Sequence, residues 1–104
     1  MNLQLHPEAE SELRSAVRWY QSHGDRLGRE FFATVDTALA RIAANPDGAS
    51  RLETWLGAEE IRRVVLPRFP YVIVFEVIRD VVHVWAISHS SRRPGYWKMR
   101  RARR

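Results

Sequence analysis

Tyr71-Val72-Ile73-Val74-Phe75-Glu76-Val77-Ile78, followed after Arg79-Asp80 by Val81-Val82-His83-Val84-Trp85-Ala86-Ile87-Ser88, is the stretch that decides the fold. β-Branched and aromatic residues dominate both runs, and each has the length of a strand rather than a helix. The two-residue link makes them a hairpin, although it lacks the glycine that tight turns favour. Tyr71, Ile73, Phe75 and Val77 line one face of the first run and Val72, Val74 and Ile78 the other, so both faces are apolar. A sheet of this kind needs cover on two sides.

Upstream, Ile61 to Leu66 reads as a third strand, joined to Tyr71 by the turn Pro67-Arg68-Phe69-Pro70. Residues 49 to 60 show no strong periodicity and read as a connecting loop. Before them lie two helical patterns. In the first, Pro7 suits the opening helical position, Glu8 and Glu10 complement the helix dipole, and Ala9, Leu13, Ala16, Val17 and Tyr20 form one apolar stripe ending at Gly24. The second is expected to be capped by Asp25. Leu27, Phe31, Val35, Leu39 and Ile42 make its buried face, and Asn45-Pro46-Asp47-Gly48 stops it. Asn2 to His6 alternates like a short strand. The expected fold is therefore α+β, in the order β-α-α-β-β-β, with a helical hairpin on one face of a small, mainly antiparallel sheet. One hairpin covers one face, so the second face awaits Trp55, Trp85 and Trp97, the carboxy-terminal segment, or another molecule. A partner is the expected cover.

The 104 residues fit one domain, and an apolar share of 45% is ordinary for a globular chain. Cysteine is absent, which excludes structural disulfides and thiol chemistry and fits a reducing compartment. No secretory signal pattern precedes Pro7, and no apolar run approaches the ~20 residues of a spanning helix. A cytoplasmic protein without membrane contact is the expectation. Residues 1–60 carry 6 arginines and 10 acids, whereas residues 61–104 carry 11 basic residues and 2 acids. From Arg92 to Arg104 there is no acid at all, and Pro94, Tyr96, Trp97 and Met99 interleave with the charge. Such a segment, 92–104, suits docking to an acidic protein surface or to phosphates.

The residues Ile61-Arg62-Arg63, Phe69-Pro70-Tyr71-Val72-Ile73-Val74-Phe75, Ile87-Ser88-His89, Arg93-Pro94-Gly95-Tyr96-Trp97 and Arg100, in that order after a strand and a helical hairpin, resemble the RelE/ParE toxin superfamily. The resemblance spans nearly the whole chain. It implies the toxin of a type II toxin-antitoxin pair, neutralised by a cognate antitoxin whose carboxy-terminal segment wraps it. ParE-like members inhibit DNA gyrase, whereas RelE-like members cleave messenger RNA on the ribosome. The Phe-Pro-Tyr and Arg-Pro-x-Tyr-Trp segments look more like the ParE branch. No lysine precedes Lys98, so only Arg62 and Arg63 stand where RelE-like enzymes carry lysines, and arginine is a poor general base. On that reading Arg62, Arg63, Arg68, Arg93, Trp97 and Arg100 bind the target or the antitoxin. If the chain is RelE-like instead, His89, Arg93 and Tyr96 are the catalytic candidates.

A third possibility is a nucleic-acid-binding module without toxicity, supported only by the charge asymmetry; no helix-turn-helix pattern or zinc-ligand set accompanies it. His83 and His89 share a strand face but lie six residues apart, roughly 20 Å at ~3.3 Å per residue, too far for one metal. His6 and His23 sit at opposite ends of the first helix. No cofactor or metal is expected.

Overall fold

A computed structural model describes residues 1–102, so Arg103 and Arg104 of the basic segment lie outside the described residues. The elements are β1 (Asn2–Leu5), α1 (Pro7–Ser22), α2 (Asp25–Ala44), a short 3-10 turn (Pro46–Gly48), β2 (Ser50–Arg51), β3 (Arg62–Val65), β4 (Tyr71–Ile78), β5 (Val81–His89) and α3 (Lys98–Ala102). The architecture is α+β. One sheet has the order β1-β5-β4-β3-β2; β1 runs parallel to β5, and the remaining pairs are antiparallel. Among the described residues no helix is long and apolar enough to cross a membrane.

Local chemistry explains the helix limits. His6 caps α1, its Nδ1 accepting the Glu8 backbone N–H, and Pro7 takes the first helical position. The expected Asp25 cap is corrected by one residue. Gly24 occupies the cap position without a side-chain bond, and Asp25 already lies in the first turn, where its charge still complements the dipole. The helices pack closely because Gly28 has no side chain: a Cβ there would sit 2.9 Å from that of Gln21.

On the helical side, α1 and α2 cover Ile73 and Phe75 of β4 and Val82, Val84 and Ile87 of β5. Phe31 and Val35 are wholly buried beneath the hairpin. Tyr20, Phe31, Phe69 and Tyr71 form an aromatic cluster, with Tyr20 stacked on Phe31 and perpendicular to Phe69.

The β5 alternation changes phase midway. Val74 pairs with Ala86 but Phe75 pairs with Val84, so Trp85 is an extra residue at a β-bulge. Trp85 and Ala86 therefore both belong to the second face, and Ile87 returns to the helical side. This corrects the expectation that His83 and His89 share a face. His83 stacks on Trp85 on the second side, whereas His89, opposite Tyr71, lies on the helical side.

Two further expectations are corrected. Residues 49–60 are not merely a loop: Ser50 and Arg51 pair with Arg63 and Arg62 as a fifth, edge strand, too short to show a period. The second face is not left to another molecule either. Ile61, Val74, Trp85, Ala86 and Trp97 form a core of their own there, joined by Trp55, Val72 and Tyr96. The chain supplies that cover because Gly95, at φ 77°, turns the backbone just before Tyr96 and Trp97. That φ is one that L side chains adopt at a cost.

Candidate functional site

Two carboxylates inside apolar patterns hold the carboxy-terminal segment to the sheet. Glu12 falls in step with Ala9 and Ala16 on the buried stripe of α1, and Glu76 interrupts the apolar run of β4. Glu12 accepts the Tyr96 hydroxyl, the Ile87 backbone N–H at 3.1 Å, and Arg100 Nη1 and Nη2 at 2.8 and 3.1 Å. Arg100 also donates to the Trp85 carbonyl at 2.8 Å. Glu76 is 5% exposed; it accepts Trp85 Nε1 at 3.1 Å and a two-pronged contact from Arg101 at 2.7 and 2.9 Å. Planar, paired contacts of this kind are the strong form of charge-assisted hydrogen bond. Around them Trp97 stacks on Trp55 with centroids 5.6 Å apart, and Arg101 lies over the Trp55 ring at 5.1 Å.

The local electrostatics follow from burial and these partners. Burial, then the hydrogen bond to Glu12 and its charge, pushes the Tyr96 phenol up to about 12. Burial alone would lower Arg100, but the bond to Glu12 together with the charges of Glu12, Tyr96 and Glu8 outweighs it, so its guanidinium stays above its ordinary value. Arg101 is raised chiefly by its bond to Glu76. Both arginines are held as cations.

The residues expected to form the site therefore divide. Trp97 and Arg100 are 3% and 8% exposed and close the second face. Arg62 is half-buried and donates to the carbonyls of Asp47 and Ala49 and to Glu60, tying down the segment before β3. Arg68 has φ 69° and reaches Glu30 on α2 at 2.9 Å. Arg63 is half-buried on β3 opposite Val74. Arg93 is exposed and makes no ion pair with a described residue. His89 is exposed, with Nδ1 accepting the Ser91 backbone N–H at 3.0 Å. Tyr96 has Arg92 over its ring at 4.0 Å.

Tyr96 and Arg100 are thus brought together by Glu12, while Arg62 and Arg68 anchor other elements. Sequence reasoning missed Glu12, Glu76 and Arg92. The available signal was a charged residue in phase with an apolar repeat, which implies a buried partner. Among the described residues no cluster of three or more histidines, cysteines or carboxylates is placed to hold a metal. A Tyr96 phenol near pKa 12 is ionised to on the order of one part in 10⁵ at pH 7, so it has almost no capacity as a general base.

The family described as the ParE toxin of the type II toxin-antitoxin system parDE matches residues 3–94. The chain belongs to the ParE toxin family. It is a type II toxin by that membership, within the RelE/ParE superfamily. A solved chain from the chromosomal ParDE toxin-antitoxin system of P. aeruginosa has the same fold, with a TM-score of 0.74 and 18% identity, covering 86% of this chain and 95% of that one. Among curated protein sequences none matches. The family match ends at Pro94, before Tyr96, Trp97, Arg100 and Arg101 complete the second face.

Proposed function

We propose that this ParE-family chain is the cytoplasmic toxin of a two-protein module, silenced by a cognate antitoxin, and that it acts by binding and inhibiting DNA gyrase. The observation that carries the gyrase reading is the state of Tyr96. A RelE-type cleavage needs a group to take the ribose hydroxyl proton and another to protonate the leaving oxygen. Tyr96 is already donating to Glu12, and no lysine stands before Lys98 to replace it. A protein that inhibits by occupancy needs neither proton transfer.

An antitoxin is supported by the outer surface of the helical hairpin. A groove of about 520 Å³ between α1 and α2 is lined by Leu13, Val17, Phe32, Val35 and Leu39, with Phe32 50% exposed. Arg14 and Arg18 stand at its margin beside Glu10 and Asp36, and Arg14 pairs with Glu10. An amphipathic segment with apolar anchors suits it, folding as it binds. Ribosome-dependent messenger RNA cleavage is kept as the second reading because His89 is exposed beside Arg92, with its tautomer set by Ser91.

The test combines two measurements on the purified toxin, with and without its antitoxin. Inhibition of gyrase-catalysed supercoiling, relieved by antitoxin, is expected, together with unchanged messenger RNA ends on translating ribosomes. Codon-phased cuts with unaffected supercoiling would reverse the order of the two readings.

A further inference from the structure

Between α1 and the adjoining ends of β4 and β5 lies a cleft of about 610 Å³ whose polar lining holds Arg92, His89, two tyrosines, three serines and one carboxylate, Glu12. Tyr20 and Tyr71 sit in its wall. Neither hydroxyl has a hydrogen-bond partner among the described residues, although Tyr20 is only 8% exposed. Neither is sealed from solvent, since no fully buried side-chain polar atom lacks a partner among the described residues. Both therefore open on the cleft. Burial raises the pKa of each phenol, for Tyr71 with help from Tyr20 and Glu12, so both keep their protons at neutral pH.

His89 adds a third donor. Its Nδ1 accepts the Ser91 backbone N–H, which leaves the proton of the neutral ring on Nε2, and the ring meets Tyr71 edge-on with centroids 5.4 Å apart. Arg92 is the fourth, exposed, with its guanidinium carbon 4.0 Å from the centre of the Tyr96 ring. Glu12, the one carboxylate in the wall, is already occupied by Tyr96, Arg100 and the Ile87 N–H. Trp19, 56% exposed, supplies an aromatic shelf at the same opening. Because both hydroxyls reach solvent without a partner among the described residues, an acceptor brought from outside can meet them.

We propose that this cleft captures a carboxylate side chain, with an apolar or aromatic neighbour packing on Trp19, from an acidic segment of the protein the toxin attacks. The inference rests on the target-binding reading above. A carboxylate fits better than a nucleic-acid backbone because Arg92 is the one arginine or lysine among the described residues of the lining, whereas a phosphate track needs several. Glu8 and Glu12 also share a face of α1 one turn apart, so an extended phosphate chain would run onto acids.

The full chain can be titrated with phenylacetate as the probe, following the Trp19 indole and His89 signals by NMR. A saturable shift is expected, with the uncharged phenylacetamide at least about 10-fold weaker and Arg92→Gln or Tyr71→Phe each weakening phenylacetate by about 10-fold. Tyr71→Phe keeps the ring packing and removes only the hydroxyl. Equal binding of the amide, no effect of either substitution, or displacement by oligouridylate at lower concentration would each overturn the proposal. In the supercoiling assay the same two variants should lose inhibition by a similar factor, and undiminished inhibition would also overturn it. If the wild-type chain binds phenylacetate yet leaves gyrase untouched, the gyrase reading falls and the carboxylate site stands.

Discussion

The two faces of the sheet bury similar strands but are closed by different chemistry. The helical side is sealed by two long amphipathic helices whose stripes, Ala9 to Tyr20 and Leu27 to Ile42, are apolar but for Glu12. The opposite side is sealed by a five-residue helix, three tryptophans and two buried carboxylate–arginine contacts. A helix that short has no stability of its own. It stays in place because Glu12 and Glu76 hold it and because Trp97 is buried against Trp55. The first face is built from area and the second from specific pairs, so the two should fail differently.

The largest effect is expected from truncating one large side chain on each face. Phe31→Ala and Trp97→Ala each remove a buried ring and should cost about 3–5 kcal/mol by chemical denaturation. The comparison sharpens in hydrogen exchange at sub-denaturing conditions. Trp97→Ala should raise exchange first in residues 95–102, leaving α1 and α2 protected, whereas Phe31→Ala should weaken the helices and β4 together. Simultaneous loss of protection everywhere in Trp97→Ala would mean that the two faces are one cooperative unit.

Next come the ion pairs. Arg100→Ala strands Glu12, whose side chain is 17% exposed, and Arg101→Ala strands Glu76, at 7%. Each should cost about 2–4 kcal/mol, since a carboxylate left without its cation in a poorly hydrated site is strongly unfavourable. The control is Arg14→Ala, which breaks a pair on the open surface of α1, 67% and 46% exposed, and should leave stability unchanged within error. Equal losses at all three positions would show that burial does not set the value of these contacts.

The contrast also explains how much was legible in the sequence. Periodicity revealed α1, α2 and the β4–β5 hairpin, because a face buried by area repeats at 3.6 or 2 residues. It could not reveal the cover of the second face. Arg100 and Arg101 read as part of a basic segment suited to docking, and their partners lie 88 and 25 residues away in the chain. The bulge at Trp85 was hidden for a related reason: one inserted residue is recognised only by the pairing on both sides of it. Among the site residues, Tyr96 was found by motif but with the wrong freedom, since Glu12, which binds it, looked like an ordinary helix-surface acid.

A smaller effect should appear at high pH. Tyr96 is pushed up to about 12 in the folded chain against an unfolded value near 10. A raised value means that the protonated form is favoured by folding, so the contribution is complete below pH 10 and is lost as pH climbs through about 12. After allowance for solvent screening it amounts to about 1–2 kcal/mol. Ultraviolet titration should show a tyrosine step at about pH 12 that is absent in Tyr96→Phe. The gap in melting temperature between wild type and that variant should shift over the same interval. A Tyr96 that ionises near pH 10 would break the assignment of Glu12 as its acceptor.

The smallest effect lies at the link that belongs to neither face. Arg79 and Asp80 have φ of 52° and 64°, the left-handed values that a two-residue hairpin turn of the primed kind requires. Aspartate tolerates that region and arginine does so poorly, because its Cβ crowds the following carbonyl. Replacing the pair by Asn-Gly keeps the turn and relieves the crowding, so Arg79→Asn with Asp80→Gly should stabilise the chain by about 1 kcal/mol. Neither Arg79 nor Asp80 forms an ion pair with a described residue, so no contact is lost in exchange. Because β4 and β5 carry residues of both cores, the gain should appear equally in the Phe31→Ala and Trp97→Ala backgrounds. A gain confined to one background would place the turn's strain within that face alone.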